Sequence, residues 1–100
     1  MVSLQPIDLD GLKATAITVE LPKTTLIAVA TDVGYIMCGA LDVELLNTRL
    51  KDRGIVAGCA LGVRSVQALL DAPLADVTDA ARSRGVQPGM KGRDALRLMQ

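Results

Sequence analysis

Histidine is absent from this 100-residue chain. That excludes imidazole as a general acid or base, a Cys–His dyad and any His-containing metal site. Tryptophan and phenylalanine are missing too, and Tyr35 is the single aromatic. Aromatics bring the most buried area per residue, so a core has to be assembled from Val, Leu, Ile, Ala and Met. One ring also removes base stacking as a route to single strands. There is no charge excess, since 11 Lys plus Arg balance 11 Asp plus Glu. Nothing then drives phosphate-backbone binding, and nucleic acid is not an expected partner. No apolar run approaches the roughly 20 residues of a membrane span. The start, Met1-Val2-Ser3-Leu4-Gln5-Pro6, has neither the basic nor the apolar segment of a secretory signal. The expectation is a cytoplasmic protein with no membrane partner. Two cysteines, Cys38 and Cys59, make neither a zinc framework nor a CxxC pair. They read as free thiols in a reducing compartment, with no metal and no cofactor implied.

What is present is apolar. Half of the residues are hydrophobic, in a length that makes one domain over 1–100. A small domain leaves much of its surface unburied. Either that surface carries apolar patches or a second copy covers them, and self-association is the expectation.

The first half reads as β. Val2 to Asp10 and Leu12 to Leu21 flank Asp10-Gly11, a dipeptide suited to a type I′ hairpin. Pro6 cannot donate to a ladder, which puts the first run at an edge or a bulge. In the second run Ile17, Val19 and Leu21 alternate with Ala16, Thr18 and Glu20. Pro22-Lys23 makes a turn into Thr24 to Thr31, whose Leu26-Ile27-Ala28-Val29-Ala30 is apolar on both parities, as in a strand covered on both faces. After Asp32-Val33-Gly34, Tyr35 to Ala40 is a fourth strand. Asp42 then caps a helix with Val43, Leu46 and Leu50 on one face and Gly54 as its stop. Ile55 to Val63 is a fifth strand, with Gly58 and Gly62 on one parity. Ser65 caps a short helix ended by Ala72-Pro73, Asp76 caps another over Val77 to Arg84, and Gly92 to Met99 forms the last. The order ββββαβααα predicts an α+β fold: a mainly antiparallel or mixed five-stranded sheet with helices packed on it. A right-handed crossover through the first helix would join strands four and five.

Three stretches, "LPKTTLIAVATDVGYIMCGALDVELLN", "RGIVAGCALGVRSVQALLDAPLADVT" and "GMKGRDAL", together resemble the YunC-like family of short bacterial and archaeal proteins. The resemblance spans nearly the whole chain and implies a compact α+β domain. It implies no activity. Against that family's pattern this chain has Cys59 where relatives tend to carry a basic residue, and Lys91 where they tend to carry a small hydroxyl. The second change removes a side-chain cap from the last helix, because an ammonium cannot accept a hydrogen bond.

Few residues suit chemistry. Cys38 is either a small core hydrophobe, as Ile36, Met37 and Ala40 around it suggest, or a thiol activated near a helix N-terminus. Gly39 beside it serves a tight turn or presents backbone N–H groups to a ligand. Asp42 is a helix cap, or the base that a Cys38 nucleophile would need. Asn47 lies beside the apolar stripe of its helix, where a partly buried amide needs a backbone or ligand partner. Arg64, at the end of the fifth strand, either pairs with Asp71 or Asp42 or anchors a small anionic ligand. Two readings follow. One is a cytosolic homo-oligomeric domain with a binding or structural role. The other is a Cys38-dependent enzyme acting on a small anion, with Asp42, Gly39, Asn47 and Arg64 around the thiol.

Overall fold

The strands are set by alternation and by their turns. A computed structural model of the chain describes residues 2–39, 43–49 and 51–100. Strands β1 (Val2–Leu9) and β2 (Leu12–Leu21) form the expected hairpin. Asp10 and Gly11 both take positive φ, 55° and 96°, as a type I′ turn requires. The Gly11 N–H is held by Asp8 Oδ1 at 2.7 Å. Pro22 and Lys23 connect β2 to β3 (Thr24–Ala30), and Lys23 takes φ 63°. A short turn leads to β4 (Gly34–Cys38). Helix α1 (Val43–Thr48) and a 3₁₀ turn (Lys51–Arg53) lead to β5 (Val56–Ala60). Asp42 and Leu50, expected at the cap and on the stripe of that helix, lie outside the described residues, as do Ala40 and the side chain of Val43.

The third quarter differs from expectation. After α2 (Val66–Asp71) the chain makes a sixth strand, β6 (Asp76–Val77), before α3 (Asp79–Arg82) and α4 (Gly92–Arg97). The sheet is therefore six-stranded, not five-stranded, in the order β1-β2-β3-β4-β5-β6. All neighbours are antiparallel except β4 and β5, which are parallel and joined through α1. Asp76 does not cap a helix. It pairs with Cys59, and the cap moves to Thr78. A two-residue strand has too short a pattern to show its period, which is why it reads as the start of the helix.

One face of the sheet carries the core. Leu12, Ala14, Ile27, Val29, Ile36, Val56 and Ala60 pack against Leu69 and Leu70 of α2, Ala95 and Leu96 of α4, and Met99. Helices α2 and α4 approach closely because Gly92 has no side chain: a Cβ there would meet Leu69 O at 2.4 Å. Strand β5 is buried throughout, Ala57 and Cys59 included, and α1 packs against it. Strand β3 is covered on one face only. Ile27 and Val29 are buried, while Leu26, Ala28 and Ala30 on the other parity are half-buried. The expectation of a strand covered on both sides fails because α1 packs on β5 and, among the described residues, no helix packs on the second face of β3.

Candidate functional site

Register fixes what that second face presents. Leu4, Ile17, Ala28 and Met37 fall in one cross-strand row, and Val2, Val19 and Leu26 in the next. A third row runs Pro6, Thr15, Ala30 and Tyr35. None of these side chains is buried, and Val2 and Leu4 are 65% and 67% exposed. Ile7 of β1 has the other parity and packs against the core.

A second feature lies at one end of the sheet. Strand β3 runs past its neighbour: its pairing with β4 begins only at Ala28, so Thr24 to Leu26 overhang. Strand β4 ends at Cys38, and beyond it the Gly62-Val63-Arg64 segment leaves β5, turned by Gly62 at φ 73°. Between the overhang and that segment is an open cleft of about 480 Å³ lined by Lys23, Thr24, Thr25, Gly62, Val63 and Arg64. It sits at the carboxyl ends of the one parallel strand pair, the end at which α/β sheets place ligands.

The residues singled out from sequence distribute unevenly around this end. Arg64 lines the cleft. Among the described residues it has no carboxylate partner, and Asp71, one expected partner, is engaged by Gln67 and Arg93 instead. Cys38 is 6% exposed, does not line the cleft, and its Sγ accepts a 3.5 Å hydrogen bond from the Ile27 N–H. Gly39 is an exposed turn residue whose added Cβ would touch the end of Leu61, and it too lies off the cleft. Asn47 is half-buried and has a backbone partner: its Oδ1 accepts from the Asp79 N–H at 2.8 Å, joining α1 to the start of α3. Asp42 lies outside the described residues. Cys38, Asn47 and Arg64 are thus not gathered into one constellation.

Cys59 pairs across the sheet with Met37, and Cys38 with Ala60, so the register sets the two thiols on opposite faces. Burial pushes the Cys59 thiol up, helped by the nearby Asp76 carboxylate. Among the described residues no group of three potential ligands could hold a metal ion, and no helix is long and apolar enough to cross a membrane.

Sequence reasoning missed Lys23, Thr24 and Thr25 as companions of Arg64. They are separated from it by about forty positions, and only the antiparallel return of β3 beside β4 brings them to the same sheet end. The one local signal is that Pro22-Lys23 is a two-residue turn, which fixes where Lys23 points.

Comparison with known proteins settles the family. Residues 37–99 match a family described as a domain of unknown function (DUF1805). The chain is 62% identical over 99 residues to the uncharacterized protein YunC of Bacillus subtilis (strain 168), covering 99% of this chain and 98% of that one. It belongs to the YunC-like, DUF1805 family. The crystal structure of a protein of unknown function from Thermoplasma acidophilum, TA1206, superposes with a TM-score of 0.89 over 100% of this chain and 94% of that one, at 24% identity. The fold of the family member described here is therefore one already seen in a solved structure.

Proposed function

We propose that this protein is a self-associating domain with a binding or structural role, assembled from copies of itself through the uncovered face of the sheet. The observation that carries the reading is that face: rows of Val, Leu, Ile, Ala and Met side chains crossing β1 to β4 with, among the described residues, no helix buried against them. Four strands at ~4.8 Å spacing and about six residues at ~3.3 Å cover on the order of 400 Å² in projection. That is the size of the largest apolar patch a monomer usually carries. Side chains raise accessible area above projection, so two such faces together bury on the order of 1,000 Å², the lower bound for a specific interface. Charge favours a second copy as occupant. Within the three rows there is no charged residue, and at their margin Asp8 stands opposite Lys13, one of each sign. A chain with zero net charge brings no long-range repulsion to its own copy. Two free, buried thiols suit a reducing cytosol. The burial of Cys38 supports this reading over chemistry at its sulfur.

Sedimentation at micromolar concentration should give a mass above one chain, with a closed symmetric assembly as the expected form. Leu4→Glu, at an exposed position that contributes nothing to the core, should shift the protein toward monomer with its thermal midpoint nearly unchanged. A sharp monomer peak for the unmodified protein across that range overturns the proposal.

A further inference from the structure

We propose that the cleft between the Pro22-Lys23 turn and the Gly62–Arg64 segment is a binding site for a small dianion, of which a phosphate group is the favoured example. The cleft is bounded by two cations from opposite walls, Lys23 and Arg64. Among the described residues neither has a carboxylate partner, although the Asp and Glu of this chain equal its Lys and Arg in number. Two other arginines do find carboxylates, Arg93 with Asp71 and Arg97 with Asp10 and Asp94. Two positive charges lining one open cleft, with no carboxylate paired to either among the described residues, repel each other, and an anion between them relieves that.

The other lining groups fit the same ligand. Thr24 and Thr25 both line the cleft, and a threonine hydroxyl can donate to an oxyanion. Among the described residues the overhanging start of β3 has no strand paired beside it on the β4 side, so this edge offers backbone groups that a sheet would otherwise consume. Gly62 at φ 73° has no described residue within 4 Å of where a Cβ would stand, so among those residues the segment carrying Arg64 leaves room beside the cleft. Arg64 supplies a planar fork for two oxygens of one group, and Lys23 a compact second charge. A phosphate monoester carries about two negative charges at neutral pH, matching two cations better than one carboxylate does. At about 480 Å³ the cleft has room for a small phosphorylated molecule beyond its anionic group.

Lys23 holds a left-handed backbone conformation, φ 63°, at a two-residue turn. Side chains other than glycine and asparagine pay for that conformation, on the order of 1 kcal/mol. A lysine here sets its ammonium on the cleft wall at a cost that glycine would avoid. That makes Lys23→Gly a clean probe, because it removes the charge while relaxing the turn.

The test is an amide NMR titration of the intact protein with sodium phosphate, and separately with sodium succinate, each against sodium chloride at matched ionic strength. Saturable shifts confined to residues 23–25 and 62–64 are expected with phosphate. Lys23→Gly and Arg64→Gln should each weaken them by about tenfold, the usual loss for one charge-assisted contact. Lys23→Gly should do so with a thermal midpoint equal to or above that of the parent, which separates lost binding from lost fold. Tighter binding of succinate than phosphate would keep the dianion site and make its ligand a dicarboxylate. Shifts no different from those with chloride, or shifts that survive both substitutions, overturn the proposal.

Discussion

At the scale of single residues, Thr78 does more than its place in the sequence suggests. It is 2% exposed, and its hydroxyl donates to Ile55 O at 2.7 Å while accepting from the Ala57 N–H at 3.1 Å and the Ala81 N–H at 3.3 Å. One oxygen therefore caps α3 and also ties it to the start of β5. Thr78→Val keeps the shape and deletes every one of these bonds, leaving buried backbone groups unpaired. It should lower stability by roughly 1–3 kcal/mol in urea unfolding. A midpoint within error of the parent's would mean that water replaces the hydroxyl at no cost. The thiols test burial in another way. The Cys59 pKa lies above its ordinary range, chiefly through burial, so the folded state favours the protonated form. Stability drawn from that preference is present below the ordinary thiol range and is lost as pH rises through the raised value. Iodoacetamide should modify native Cys38 and Cys59 slowly at neutral pH and the unfolded chain fast. Rapid labelling of native Cys38 would mean that its thiol opens to solvent.

At the scale of elements, two glycines that share a parity on the fifth strand of the sequence reading separate in the structure. A Cβ on Gly58 would meet Leu74 Cδ1 at 2.9 Å and Val77 Cγ1 at 3.2 Å. Gly62 would meet nothing within 4 Å, because β5 has already ended at Ala60. Gly58→Val should destabilise by roughly 1–3 kcal/mol through overpacking. Gly62→Ala should cost on the order of 1 kcal/mol, from its left-handed backbone alone. Equal losses at the two sites in parallel thermal melts would refute the assignment of Gly58 to packing and Gly62 to conformation. Helices α2 and α4 are also fastened at the surface, where Asp71 accepts from Gln67 on its own helix and from Arg93 on the other. The Gln67 hydrogen bond first, and then Arg93, hold the Asp71 carboxyl below its usual range. Both partners are partly exposed, so the pair orients the helices more than it stabilises them.

At the scale of the whole molecule, the main core lies on one face of the sheet; on the other, β5 is buried where α1 packs on it, and among the described residues β1 to β4 are left bare. The six strands and the helices α2 and α4 make a core around Ile27, Ile36, Leu69 and Leu96 without any aromatic ring. The residues that would thicken it stand on the far face. Tyr35 is at the β4 margin of that face, half-buried, beside Ala30 on β3 and Ala57 on β5. If copies meet there, Tyr35 is the anchor with the most area to contribute. Tyr35→Ala should then weaken assembly in the same sedimentation experiment in which Leu4→Glu does. Loss of assembly with Leu4→Glu but not with Tyr35→Ala would confine the contact to the β1 edge.

The class of the fold, the two hairpin turns, the restriction of β1 to an edge or a bulge and the caps that rest on local chemistry are legible in the sequence. Asp10-Gly11, Pro6 and Ser65 act through φ, a missing N–H and a nearby hydroxyl, all within a few positions of themselves. The sequence also determined which functions lack their groups, since a histidine that is absent cannot be supplied by folding. Long-range pairing made the sixth strand, which exists because Asp76 and Val77 find β5 and not because of any pattern of their own. It decided that Leu26 and Ala28 face outward while Ile27 and Val29 face in, a choice that a run apolar on both parities leaves open. It also decided that Lys23 and Arg64 share a cleft, because the reach of two charges across a sheet end depends on strand order and register, which no local stretch encodes.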